Sequence, residues 1–364
     1  MLHRPVRTAA LARTLSAGLA VVLAACTSGA TPAPSAYATA QSSVAPAETG
    51  SPAPSVPTQT VALTVGLGYI PSVQFAPFYL ADQEGSYAAE GLKITFQNEI
   101  DANLIPKVGQ GQVDLGLADG TSVIPAVSQG IPIKYTATIY GKFPSIVFAK
   151  ASSGITTAAD LKGKKIGIPG KYGSSWIMLQ ALLSSAKLSP SDVTIVEYPD
   201  FGQGAAVSAG AVDAATGFVN NEPVQLELAG TKTTVLTVDA ITPLPGPGII
   251  ASTATISSKR DALAGFIRAT LKAMNEIAAN PSAGVDASIK AVPDLAKDRP
   301  TQEAILAATI DAWRPAGAAA GAPLTGAIDP AGWDASATYM TSLGLVPKPV
   351  TSSDLVDTSF TSGS

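Results

Sequence analysis

Of 364 residues only 14% are charged, the net charge is −4, and the chain holds a single histidine and a single cysteine. His3 and Cys26 both sit in the N-terminal segment, so the body of the chain cannot build a Ser-His-Asp or Cys-His nucleophile system, nor a zinc site with nitrogen and sulfur ligands. No extended basic run follows that segment, which argues against a nucleic-acid partner.

In chain order, the first element is a targeting signal. Arg4, Arg7 and Arg13 precede the apolar stretch LSAGLAVVLAA at 15–25. That stretch suits a signal peptide and is too short for a bilayer span, which needs about 20 residues. Leu23-Ala24-Ala25-Cys26 then reads as a bacterial lipoprotein cleavage site, with residues 1–25 removed and Cys26 lipidated at the membrane. Residues 26–60 are dominated by Pro, Ala, Ser and Thr, lack lysine and arginine, and carry no large aliphatic cluster. Such a segment buries too little apolar surface to offset its ordering entropy, and predicts a disordered tether with a mean reach of about 30 Å.

From Val61 onward strands and helices alternate. VALTVGL (61–67), LKITFQN (92–98), VDLGLAD (113–119) and IKYTATIY (133–140) read as strands, with helices over 74–83, around 103–109 and over 120–129. The rhythm restarts with SIVFAK (145–150), a short helix and glycine turn in AADLKGKKIGIPG, and a helix over 173–187. TIVEY (194–198), AATGFV (214–219) and TTVLTV (233–238) supply the remaining strands of this second unit. PLPGPGIIASTATIS (243–257) reads as a return crossing, a Pro/Gly hinge followed by one long strand.

Leu263, Phe266, Ile267, Leu271, Met274 and Ile277 recur at three- and four-residue steps, predicting a helix over 258–280. Ser258 is its expected N-cap and Pro281 its stop. Helices over 301–313 and 330–343 complete the chain.

Two mostly parallel α/β units joined by two hinge crossings make a clamshell: lobe I from 61–145 plus 246–364, and lobe II from 146–245. Ligands of open α/β sheets bind beyond the carboxyl ends of strands. The candidate cleft segments are therefore 68–78, 118–122, 140–145, 170–176, 218–223 and 243–248, with closure expected near 142–148 and 241–248.

Within those segments, Tyr69 can stack on a flat ring, Pro71 stiffens its loop, and Gln74 can pair with ring carbonyl or amino groups. Phe75 is a further candidate wall, whereas Phe78 and Tyr79 are read as core under the first helix. GKYGSSW (170–176) sets Tyr172, Ser174 and Ser175 at a helix start, where backbone N–H groups suit an anion or a carbonyl oxygen, or simply cap the helix. It lacks the Gly-Lys-Ser/Thr arrangement of a phosphate loop. Trp176 is either a cleft wall or a core anchor.

In FVNNEP (218–223), Glu222 offers an acceptor for ring N–H or amino donors, and Asn220 and Asn221 either meet carbonyls or shape the turn. Asp119 is either a ligand contact or a helix N-cap. Between Val61 and Ile250 there is no arginine, which disfavours sulfonate, nitrate or phosphate, although Lys142 and Lys171 remain available. No catalytic residue, metal or cofactor is expected.

GYIPSVQFAPFYLADQEGSYAAEGL, GQVDLGLAD, AADLKGKKIGIPG, GKYGSSW, NNEPVQLE and GWDASATYMTSLGLV, in this order, resemble the substrate-binding lipoproteins of ABC importers. That family includes alkanesulfonate, thiamine-pyrimidine-precursor and riboflavin binders, and the first and fifth segments look closest to the latter two. The resemblance implies a type II periplasmic-binding fold, a small planar heterocycle as ligand, and delivery to a membrane permease with its ATPase. Pyrimidine synthases related to this fold are implied to use histidine and cysteine chemistry, which the chain after Cys26 does not carry.

Overall fold

Alternation along the strands sorts their side chains into separate cores. In β1 (Val61–Leu67), Leu63, Val65 and Leu67 are buried on one face, as a two-residue side-chain period requires. In this computed structural model residues 60–239, 241–319 and 321–361 are described. The expected signal peptide, Cys26 and nearly all of the tether lie outside the described residues.

Five strands build the first sheet. β1 is joined by β2 (Leu92–Asn98), β3 (Leu115–Asp119) and β4 (Ile133–Thr138). The chain then crosses to a second sheet of β5 (Ser145–Lys150), β6 (Lys165–Ile168), β7 (Thr194–Glu197), β8 (Ala214–Phe218) and β9 (Thr233–Leu236), and returns as β10 (Pro247–Ser252). The orders are β2-β1-β3-β10-β4 and β7-β6-β8-β5-β9.

Both sheets are mixed, not mostly parallel. β10 runs antiparallel to β3 and β4, and β5 antiparallel to β8 and β9. The reason is geometric. A segment that crosses between lobes enters its sheet at the edge facing the other lobe, and must run away from that edge. The strands beside it arrive there at their carboxyl ends.

Short helices pack against the sheets. In lobe order they begin with α1 (Ala76–Gln83), α2 (Ser86–Ala89), α3 (Asp101–Gly109) and α4 (Gly120–Ser128). The second sheet carries α5 (Gly173–Ser185), α6 (Gln203–Ala209) and α7 (Glu222–Leu228). After β10 come α8 (Thr253–Ser258), α9 (Arg260–Ala279), α10 (Pro281–Ala291), α11 (Arg299–Trp313), α12 (Pro330–Ser342) and α13 (Ser352–Leu355).

β5 shows the division of the core. Ile146 and Phe148 join one buried cluster with Val207, Val212 and Leu226, while Val147 and Ala149 face another with Ile166, Met178 and Leu182. On the first sheet, Leu63, Val65, Phe78, Phe266 and Trp313 form a third cluster beneath α1, α9 and α11. Phe78 is wholly buried and Tyr79 nearly so, which settles both as core.

Two expectations around the return crossing are corrected. The strand does not continue to 257. It stops at Ser252, whose hydroxyl accepts from the Thr255 N–H and starts α8. Ser258 is consequently the last residue of α8, bonded back to the Ala254 carbonyl, and Lys259 leads into α9. Pro281 ends one helix by opening the next, at the first position of α10, where its missing N–H costs nothing. Among the described residues no helix is long and apolar enough to cross a membrane.

Candidate functional site

The carboxyl ends of the strands in both sheets converge on one cleft. It encloses about 880 Å³ of atom-free space, open mouth included. The first sheet contributes Gly68 and Tyr69 after β1, Ile100 and Asp101 after β2, Asp119 at the end of β3, and Pro247 opening β10. The second contributes Pro169 and the start of α5 after β6, Phe201 after β7, Phe218 at the end of β8, and Asn221 and Glu222 beyond it.

The lining has an unusual composition. Tyr69, Phe75, Tyr140, Tyr172, Phe201 and Phe218 supply six aromatic rings, and Asp101, Asp119 and Glu222 supply three carboxyl groups. No lysine or arginine is among the lining residues. Lys142, in the crossing from β4 to β5, pairs instead with Asp311 at 2.7 Å.

Each carboxyl group is held differently. Asp101, buried in the first turn of α3, accepts the Asp119 N–H at 2.8 Å. Burial, reinforced by the charge of Asp119, pushes it well above the usual carboxylate range. Gly68 makes this fit possible: a Cβ there would stand 2.9 Å from Asp101 Oδ1 and 2.5 Å from the Leu117 carbonyl.

Asp119 sits at the N-cap position of α4 without capping it. Its carboxylate faces the hydroxyl and amide of Ser174 across the cleft, and burial lifts it to about 6. The first turn of α5 thus receives a carboxylate from the opposite lobe, where an anionic ligand would otherwise be attracted.

Glu222 Oε1 accepts from Gln203 Nε2 at 3.2 Å, and Oε2 accepts from the Phe218 N–H at 2.9 Å. Burial pushes its carboxyl up to about 7. Gly217 leaves it room, since a Cβ there would lie 2.5 Å from Oε2. Gln203 Oε1 is buried without a hydrogen-bond partner among the described residues, an acceptor that a ligand N–H would satisfy.

Nine of the eleven residues singled out from the sequence line the cleft: Tyr69, Gln74, Phe75, Asp119, Tyr172, Ser174, Ser175, Asn221 and Glu222. Two do not. Trp176 packs against the cluster around Met178 and Leu182, because its place in α5 turns it towards the helix's own core. Asn220 is wholly buried, donating to Gln74 Oε1 at 3.1 Å and Thr309 Oγ1 at 2.8 Å. It is a tie between lobes that orients Gln74.

Asp101, Phe201 and Gln203 were missed. Asp101 and Phe201 follow β2 and β7, so extending the strand-end rule to those two strands would have found them. Gln203 begins a helix, and nothing in its local sequence marks it.

Residues 72–284 match the family described as NMT1/THI5 like. The chain belongs to that family. It is 35% identical over 274 residues to the riboflavin-binding protein RibY of Chloroflexus aurantiacus, covering 74% of this chain and 78% of that protein. It is 27% identical over 180 residues to a 4-amino-5-hydroxymethyl-2-methylpyrimidine phosphate synthase of Legionella pneumophila, covering 49% of this chain and 56% of the relative.

Among solved structures it resembles the alkanesulfonate-binding protein SsuA of Xanthomonas axonopodis pv. citri bound to MOPS. The TM-score is 0.65 at 20% identity, covering 82% of this chain and 99% of the other. The periplasmic-binding-protein fold, two α/β lobes with mixed sheets, is therefore the fold of this NMT1/THI5-like protein.

Proposed function

We propose that this NMT1/THI5-like protein captures an uncharged planar N-heterocycle between its lobes and hands it to an ABC permease, without chemical conversion. The observation that carries this reading is the lining: six aromatic rings, three carboxyl groups and no cationic side chain. Aromatic faces stack on a flat ring with about 0.5–1.5 kcal/mol beyond area burial. Carboxyl groups lifted by burial, with Glu222 at about 7, pair with ring N–H, amino and carbonyl groups. An anion would meet like charge, with Asp119 already facing the start of α5.

Similarity to RibY supports riboflavin as the ligand ahead of a thiamine pyrimidine precursor. In this reading Tyr69, Phe75 and Gln74 from lobe I (61–145 plus 246–364) face Tyr172, Ser174, Ser175, Asn221 and Glu222 from lobe II (146–245). Closure occurs about the crossings near 142–148 and 241–248. Cys26 is the lipid anchor, residues 27–60 the tether, and the protein works outside the cytoplasm at the membrane.

The deciding experiment is titration of the purified protein with riboflavin, 4-amino-5-hydroxymethyl-2-methylpyrimidine and an alkanesulfonate, followed by ligand fluorescence or melting temperature. Riboflavin is expected to be bound, with its fluorescence quenched. A response to the sulfonate alone overturns the reading.

A further inference from the structure

Of the described residues, two that are not glycine have a left-handed backbone: Lys187 at φ 58° and Phe201 at φ 60°. Lys187 follows the C-terminus of α5, where a left-handed residue commonly finishes a helix. Phe201 has no such excuse. It lies between β7 and α6, and a bulky side chain in this region is an outlier that its surroundings must hold in place. Gly202, the residue best suited to that conformation, stands beside it with an ordinary φ of −80°. The turn is pinned by the Phe201 N–H to the Tyr198 carbonyl at 3.0 Å and the Gly202 N–H to Asp200 Oδ1 at 3.2 Å.

This backbone brings the Phe201 ring into the cleft. The ring meets Tyr69 of the opposite lobe at 4.8 Å between centroids and 81° between planes. Tyr69 is itself fixed, its N–H on the Leu67 carbonyl at 2.9 Å and its carbonyl accepting from Asn98 Nδ2 at 2.7 Å. Two perpendicular rings, one from each lobe, make a corner. A flat molecule stacked on one ring presents its edge to the face of the other, and both are favoured aromatic geometries.

We propose that Phe201 is a specificity-determining residue, held in a strained backbone so that its ring completes an aromatic corner with Tyr69 for a flat ligand. The inference rests on the planar-heterocycle reading and adds to it a residue, a geometry and a cost in stability.

The test compares F201A, F201G and F201W in the full-length protein. Binding of riboflavin, of lumichrome (its flat core alone) and of the aminopyrimidine is measured, with melting temperature and hydrogen exchange of segment 68–75. F201A and F201G are both expected to weaken flat ligands by about tenfold or more, and F201W by no more than about threefold. F201G should melt about 2 °C or more above F201A, because glycine relieves the left-handed strain that alanine keeps. Segment 68–75 should exchange faster in both truncations, since the corner ties the lobes.

Binding by F201A within about twofold of the wild type overturns the proposal, as does F201W losing as much as F201A. Melting of F201G at or below F201A overturns the strain. If the wild type binds none of the three flat probes, the functional reading falls separately. The melting and exchange arms still decide the corner, and unchanged exchange at 68–75 refutes it.

Discussion

The central strands β3 and β8 hold the same place in their sheets, and each leads to a carboxylate at the cleft, yet the two acids are satisfied in opposite ways. Asp119 ends its strand and looks across to Ser174 of the other lobe. Glu222, four residues beyond Phe218, folds back onto its own lobe through Phe218 and Gln203. The difference teaches what each acid is coupled to. Asp119 faces a group that only the meeting of the lobes supplies, whereas both hydrogen bonds of Glu222 are made within its own lobe and depend on that lobe being folded.

The largest effect expected from this contrast is on pH-dependent stability. Burial raises Glu222 from its ordinary 4.5 to about 7, so folding favours its protonated form. That contribution is fully present below about 4.5 and is lost as pH rises through about 7, an amplitude of about 3 kcal/mol at most. Asp101 and Asp119, also raised by burial, fall in the same window. Urea denaturation between pH 4.5 and 8 should therefore show stability falling in the wild type and falling less, but still falling, in E222Q. Identical profiles would mean that Glu222 is solvated, and the contrast with Asp119 would dissolve.

Ligand affinity should respond next. Tyr69 packs on Phe201 and lies beside Asn221 and Glu222, so Tyr69→Ala removes a wall shared by both lobes. Riboflavin binding is expected to weaken about tenfold, or 1.4 kcal/mol, with the fold intact by circular dichroism. An unchanged titration would place the ligand elsewhere.

A smaller change sharpens the comparison from the other side. Asp119→Asn keeps an acceptor facing Ser174 but removes the charge at the start of α5. A loss of about 0.3–1 kcal/mol in ligand affinity is expected, with little effect on global melting. An effect on melting as large as that of changing Glu222 would show both acids to be internal to their lobes.

The smallest effect is reserved for Lys142. Its partner Asp311 is 72% exposed, and an exposed pair contributes at most about 1 kcal/mol. Lys142→Ala should alter neither stability nor riboflavin binding measurably. Loss of binding would reopen the case for an anionic ligand.

Much of this architecture was legible because it is written in local periods. Leu263, Phe266, Ile267, Leu271, Met274 and Ile277 do line the buried face of α9, and VALTVGL and SIVFAK do form β1 and β5. Glu222 and Tyr69 were legible because a strand followed by a turn marks the sheet's carboxyl edge.

The failures share a cause. At the site, Asn220 against Asn221 as a lining residue, and Trp176 against its neighbours Ser174 and Ser175, are choices between positions one or two residues apart. They turn on about 100° of helix rotation or one residue of turn, which local composition does not specify.

By itself, the sequence determined most of the segments that are strands and helices, and that histidine and thiol chemistry is absent from the body. Only the tertiary structure decided that the crossing strands run antiparallel, that Asp101 and Asp119 share one buried site, and that Phe201 meets Tyr69 across the cleft. The first group follows from side-chain periodicity and composition, which act within a few residues. The second depends on which distant segments approach each other in space, and there burial sets both the charge of an acid and the aim of a ring.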